Sequence, residues 1–218
     1  MKPPIVRETL RRTLALMTGN PPVPREARGL GSALLHVSDT PSIYYPDLAG
    51  LAKAVRPRFI LHTGDLADEV KLCPRCPDAC RYAAKVNALL GILLATSAER
   101  VFLVLGNHDD PAVVAALAAP VSGRIEVYEG CARLDLEGVR IAAAHRAEDL
   151  WKTVADDPAD FGFYGHDTSV LPPDADGRVY LNGNVKIRVL DLASRTVHSI
   201  DYPRSVHDAR QKKRKIGL

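Results

Sequence analysis

A chain of 218 residues, of which 46% are hydrophobic and 25% charged, is long and apolar enough for one large domain with appendages. Its formal net charge of +3 arises at one end, where Arg210, Lys212, Lys213, Arg214 and Lys215 carry five positive charges; without residues 210–215 the balance is −2. A slightly acidic body argues against a general nucleic-acid-binding surface, and the longest apolar run, Ala88 to Ala95, is about half of a membrane span.

Taken in order, Ile5, Val6, Leu10, Leu14 and Met17 recur at roughly helical spacing and predict an amphipathic helix over 4–18. Arg11-Arg12 precede an apolar patch. The patch, Leu14 to Met17, is shorter than the ~7–15 residues of an export signal, so a cytoplasmic protein with its four cysteines reduced is expected. Pro21, Pro22 and Pro24 open an irregular linker that runs to Gly31. Ser32 to Val37 predicts a strand ending in Ser38-Asp39-Thr40-Pro41. Pro46 to Val55 reads as a helix, and Arg58 to Thr63 as a strand ending in Gly64-Asp65-Leu66-Ala67-Asp68. His36 and His62 lie inside these strands and are expected to be hydrogen-bonded core residues. Asp68 suits a helix cap or a supporting role better than a ligand.

Cys73, Cys76 and Cys80 follow in a proline-containing loop. Close thiolates hold zinc or an iron–sulfur cluster, with Cys131 as a fourth ligand in that reading. There is no second C-x2-C pair, so three reduced cysteines remain the alternative. Tyr82 to Ala98 predicts a helix leading into Val101 to Leu105, an apolar run with the character of a strand buried on both faces. That strand ends in Gly106-Asn107-His108-Asp109. A helix over Ala112 to Ala119 and strands over Arg124 to Tyr128 and Cys131 to Leu136 come next. Val139 to Ala144 predicts a strand ending in His145-Arg146, Ala147 to Asp156 a helix, and Phe161 to Tyr164 a strand ending in Gly165-His166-Asp167-Thr168. Val179 to Leu181, Val185 to Leu190 and Thr196 to Ile200 alternate like a β-meander, and residues 210–215 read as a solvated tail.

Five strands therefore end in side chains able to bind metal: Asp39, Asp65, Asn107, His145 and His166. Open α/β sheets bind ligands at those carboxyl ends. The donors are oxygen and nitrogen without thiolate, which suits Mn²⁺, Fe²⁺ or Zn²⁺. A carboxylate shared by two ions is the usual device for clamping a phosphoryl group.

The order Asp39, Gly64-Asp65-x-x-Asp68, Gly106-Asn107-His108-Asp109, His145, Gly165-His166 resembles the calcineurin-like metallophosphoesterase superfamily. The resemblance divides the chain into an appendage at 1–31, a metallophosphoesterase domain at 32–203 and a basic tail at 204–218. It implies an α/β fold of two face-to-face mixed β-sheets flanked by helices, a four-layer sandwich. By it, Asp65 bridges two ions while Asn107, His145 and His166 complete the second, His108 acts on the substrate, and Asp109 orients its imidazole. Two positions depart from the pattern: Pro41 and Thr168 stand where the family has histidines serving the first ion. The first site keeps Asp39 and the bridging Asp65, which leaves three alternatives: one ion suffices, other oxygens such as those of Asp167 or Thr168 fill in, or the fold is kept for binding alone. Two functions stay open on these residues. One is hydrolysis of a phosphoester small molecule or nucleotide by one or two divalent ions; the other is a degenerate family member that binds or scaffolds. Tyr44, Tyr45 and Arg146 flank the ligand loops as candidate substrate contacts, while oligomeric state is not legible.

Overall fold

The computed structural model describes residues 23–70, 78–168 and 178–215. The expected helix over 4–18 and two of the loop cysteines, Cys73 and Cys76, lie outside them. Among the described residues, ten strands form two sheets: β1 Ala33–Val37, β2 Phe59–His62, β3 Arg100–Val104, β4 Ile125–Tyr128, β5 Cys131–Leu136, β6 Val139–Ala144, β7 Phe161–Tyr164, β8 Val179–Asn182, β9 Ile187–Asp191 and β10 Thr196–Ile200. The helices are α1 Tyr45–Val55, α2 Ala79–Leu94, α3 Pro111–Ala118, α4 Ala147–Asp156 and α5 Arg204–Lys215. Among the described residues, no helix is long and apolar enough to cross a membrane.

The six-stranded sheet has the order β10-β9-β1-β2-β3-β4 and the four-stranded sheet the order β5-β6-β7-β8. Strands β1 to β4 run parallel to one another, as do β6, β7 and β8, so each group lifts its carboxyl ends to one side. The period-2 alternation of a strand assigns the faces. Leu35, Val37, Ile60, Val101 and Leu103 pack with Leu48 of α1 and Val86 of α2. Leu34, Leu61, Phe102 and Val104 point the other way, onto Leu134, Ile141, Phe161 and Phe163 of the second sheet. The outer face of that sheet buries Ala142, Ala144 and Tyr164 against Leu150 and Val154 of α4. The three apolar interfaces make four layers, helix, sheet, sheet and helix, as expected.

Three stretches differ from expectation. The last strands do not form one meander: β8 extends the second sheet parallel to β7, while β9 crosses back to pair antiparallel with β1. Alternation alone cannot tell which sheet an edge strand joins. Residues 204–215 form a helix where a tail was expected from 210 on, and it is anchored by Val206, fully buried in the core, and by Arg210, which finds backbone acceptors. Within the irregular linker, Arg25–Ala27 form a 3-10 turn, Ala27 is fully buried, and Gly29 N–H donates to the Val55 carbonyl at 3.0 Å.

His36 and His62 are core residues, as expected. His36 bonds Thr63 Oγ1 through Nε2 at 2.9 Å, and its ring meets Phe163 edge-on at 4.9 Å. His62 Nδ1 accepts from Gly64 N–H at 3.2 Å, so Nε2 carries the proton and bonds Thr40 Oγ1 at 2.9 Å. Burial lowers both imidazoles, His36 well below its ordinary value and His62 to about 3. The native state thus refuses protons that the unfolded chain takes up below an ordinary pKa of ~6.5. Stability is complete above that pH and falls as pH drops toward about 3. The urea midpoint of the metal-free protein should therefore decline from pH 7 to pH 5. His62→Gln keeps an acceptor and a donor but cannot titrate, and its midpoint should decline less over the same interval.

Candidate metal centre

The five ligand candidates each leave a strand at its carboxyl end: Asp39 after β1, Asp65 after β2, Asn107 after β3, His145 after β6 and His166 after β7. The first three belong to one sheet and the last two to the other. One ligand atom from each of Asp39, Asp65, His145 and His166 lies within 4.8 Å of the others, and His166 alone of the four is not buried. Asn107, on the exposed rim, brings its Oδ1 to 3.1 Å from His145 Nε2.

The backbone explains how the loops turn so sharply. Asp39, Asp65 and His166 have φ of 50°, 55° and 56°, in the left-handed region that non-glycine residues rarely enter. Such conformations persist where surrounding bonds over-determine them. Asp39 N–H donates to the Gly64 carbonyl at 3.0 Å, and His166 N–H to Asp39 Oδ2 at 2.9 Å. Ser38 Oγ also donates to Asp39 Oδ2, at 2.6 Å. His145 Nδ1 donates to the Thr63 carbonyl at 2.6 Å, which fixes its tautomer. The lone pair of Nε2 then faces Asn107 Oδ1 and, at 3.6 Å, Asp65 Oδ1. Acceptors gathered in this way repel one another, and a cation among them relieves it. Burial, with His145 beside it, lowers the His166 pKa and so keeps a neutral imidazole available. The donor set fits a divalent metal.

Asp109 sits between two of the ligand loops. Its Oδ2 accepts from Asp65 N–H at 2.8 Å and Gly106 N–H at 2.7 Å, and its Oδ1 from Leu66 N–H at 2.9 Å and the Tyr82 hydroxyl at 2.8 Å. These four donors fill the acceptor capacity of the carboxylate. Asp109 therefore clamps the Asp65 loop to the Asn107 loop. Burial and the neighbouring Asp65 push its pKa up to about 6, against the pull of those donors.

The remaining candidates fall outside the cluster. Asp167 turns its Oδ2 to the Ala147 N–H at the start of α4, 3.1 Å away, and Thr168 is exposed. Pro41 is buried at the head of a 3-10 turn. Tyr44 and Tyr45 are buried rather than presented to substrate, and the Tyr45 hydroxyl donates to the Leu66 carbonyl at 2.8 Å. Arg146 is half-exposed beside His145 with Glu148 at 3.7 Å. Cys80 and Cys131 are free and exposed. Sequence reasoning missed Ser38, Thr63, Tyr82, Asn184, Tyr202 and Arg210, which support the ligand loops. Ser38 and Thr63 directly flank motif residues and were the most accessible to it.

A four-layer α/β sandwich with carboxylates and imidazoles gathered at its strand ends is the architecture of a metallophosphoesterase. A family model described as calcineurin-like phosphoesterase matches residues 33–205, and the chain belongs to that family. No curated protein matches the chain. Its fold is similar to a solved archaeal phosphodiesterase, at 11% identity and a TM-score of 0.57 over 78% of this chain and 99% of that one. A phosphoesterase from E. coli, Yfce, matches at 18% identity and a TM-score of 0.43, over 78% of this chain and 99% of its own. Vps29 from Entamoeba histolytica, complexed with Zn²⁺, matches at 14% and 0.40, over 78% and 98%.

Gly106 tests the close approach of the loops. A Cβ there would overlap Asp65 Oδ1 and stand 2.5 Å from Asp65 N, a backbone atom that cannot step aside. Gly106→Ala should cost about 1–3 kcal/mol of stability by overpacking. It should also weaken divalent-metal binding, as read by calorimetry beside urea unfolding.

Proposed function

We propose that this chain is a metal-dependent phosphoesterase, cleaving a P–O bond of a phosphomonoester or phosphodiester. The supporting observation is the convergence of Asp39, Asp65, His145 and His166 at the strand ends of a calcineurin-like phosphoesterase fold. Those four residues, with Asn107, would hold Mn²⁺, Fe²⁺ or Zn²⁺. Divalent ions in such a centre polarise a phosphoryl oxygen and lower the pKa of bound water. The chain's own residues supply the rest. His108 follows Asn107, and its backbone N–H donates to Asp65 Oδ1 at 3.2 Å, which sets where its side chain leaves the loop. From there its imidazole protonates the leaving oxygen or donates to the phosphoryl group. Asp109 keeps the two loops in register. The substrate class is a phosphoester small molecule, nucleotides included, and the compartment is the cytoplasm, in keeping with free Cys80 and Cys131. For the other loop cysteines, zinc or iron–sulfur binding with Cys73 and Cys76 stays outside this reading.

The pair Pro41 and Thr168 supports a second reading, a family member that binds without hydrolysing. His108→Ala separates the two. On an aryl phosphodiester, turnover should fall about 10²–10⁴-fold with metal content unchanged. Metal loss in that variant would make His108 a ligand, and a wild type that carries metal but turns nothing over would establish the binding reading.

The same pair makes a stoichiometry prediction. Two carboxylates without an imidazole hold a first ion weakly, so the wild type should carry about one tightly bound ion. Pro41→His with Thr168→His should bring the content toward about two, measured by elemental analysis. Two ions already at full occupancy in the wild type would refute it.

A further inference from the structure

We propose that Arg210 is a positioning residue for the metal centre, holding the Asp39 and His166 loops in the arrangement from which they ligate. The inference rests on the reading that the centre binds a divalent cation. Arg210 reaches from α5 to the back of the Asp39 loop. Its Nε and Nη2 both donate to the Asp39 carbonyl, at 3.0 and 2.8 Å, and Nη2 donates to the Ser38 carbonyl at 2.7 Å. Its Nη1 donates to the Asn184 carbonyl at 2.7 Å. Asn184 in turn donates from Nδ2 to the His166 carbonyl at 2.8 Å. One planar cation is thus joined directly to the backbone of the first ligand and, through a single residue, to that of the last.

The guanidinium is itself held. The Tyr202 ring lies 4.4 Å from its Cζ, and the Tyr202 hydroxyl donates to the Gly183 carbonyl at 2.7 Å. Tyr202 is buried, so this stack is shielded from water. Three carbonyls aimed at one point repel one another without a cation between them. A guanidinium fork satisfies several acceptors in fixed directions, and an ammonium cannot reproduce that geometry. The placement is informative because Asp39 and His166 are both left-handed and each stands two residues before a position, Pro41 or Thr168, that offers no imidazole. A metal-bound histidine would tie down either loop from the front; Arg210 ties both from behind.

The test compares full-length wild type, Arg210→Gln and Leu134→Ala. Leu134 lies in the core between the sheets, on β5, which carries none of the ligands. Mn²⁺ affinity is read by calorimetry, and melting temperature with and without Mn²⁺. Arg210→Gln should bind Mn²⁺ about 10–100-fold more weakly, the usual effect of removing a group that orients ligands. Its melting temperature should also rise less on adding Mn²⁺. Leu134→Ala should melt lower yet keep wild-type affinity, showing that lost stability alone does not loosen the centre. If Arg210→Gln does not fold, Arg210→Lys keeps the charge without the fork and should bind with intermediate affinity. Wild-type affinity in a folded Arg210 variant, while the wild type binds Mn²⁺, overturns this inference alone. A wild type that binds no divalent cation overturns the metal reading beneath it.

Discussion

The hydrogen bond from His145 Nδ1 to the Thr63 carbonyl, 2.6 Å long, joins the two sheets where their strands end. Behind it the sheets pack through Phe102, Phe163 and their apolar neighbours, and apolar contact is non-directional. The bond adds direction. It sets the imidazole's tautomer and turns Nε2 toward Asp65 and Asn107, which come from the other sheet. Everything else in the centre follows from that convergence. Asp109 locks the β2 and β3 loops, Asp39 accepts the His166 amide across the gap, and a cation finds donors from both sheets.

The centre is built from local strain and long-range restraint together. Left-handed backbone at Asp39, Asp65 and His166 is unfavourable in isolation, and each carries or receives bonds that offset it. The glycines serve a second purpose, since Gly64, Gly106 and Gly165 each lie where a Cβ would collide with a neighbouring ligand loop. Sequence motifs that pair glycine with a ligand thus encode proximity as well as ligand identity.

Much of this was legible in the sequence because the strands carry distinct patterns. Continuous apolar runs such as Val101 to Leu105 mark strands covered on both faces, and the polar residues after them mark the binding edge. The destination of β8 was not legible, because sheet membership of an edge strand depends on tertiary packing that alternation does not encode. Arg210 was hidden for a related reason. In sequence it is one of five cations in a basic run, and nothing in that run foretells its stacking on Tyr202. Asp109 was assigned by resemblance to His108, its neighbour in sequence, whereas its described partners come mainly from residues 65, 66 and 82.

The pairing of β9 with β1 has a consequence for the order of assembly. Among the described strands β1 is synthesised before the others, yet one of its edges stays open until residues 187–191 have emerged. During synthesis the Asp39 loop must therefore wait, its neighbours on that side still inside the ribosome. The parallel pairs β1–β2–β3 can form earlier, giving a partial sheet with an exposed edge that invites wrong partners. Closure comes late and from a distance of about 150 residues along the chain, a long loop to close before its contacts are gained.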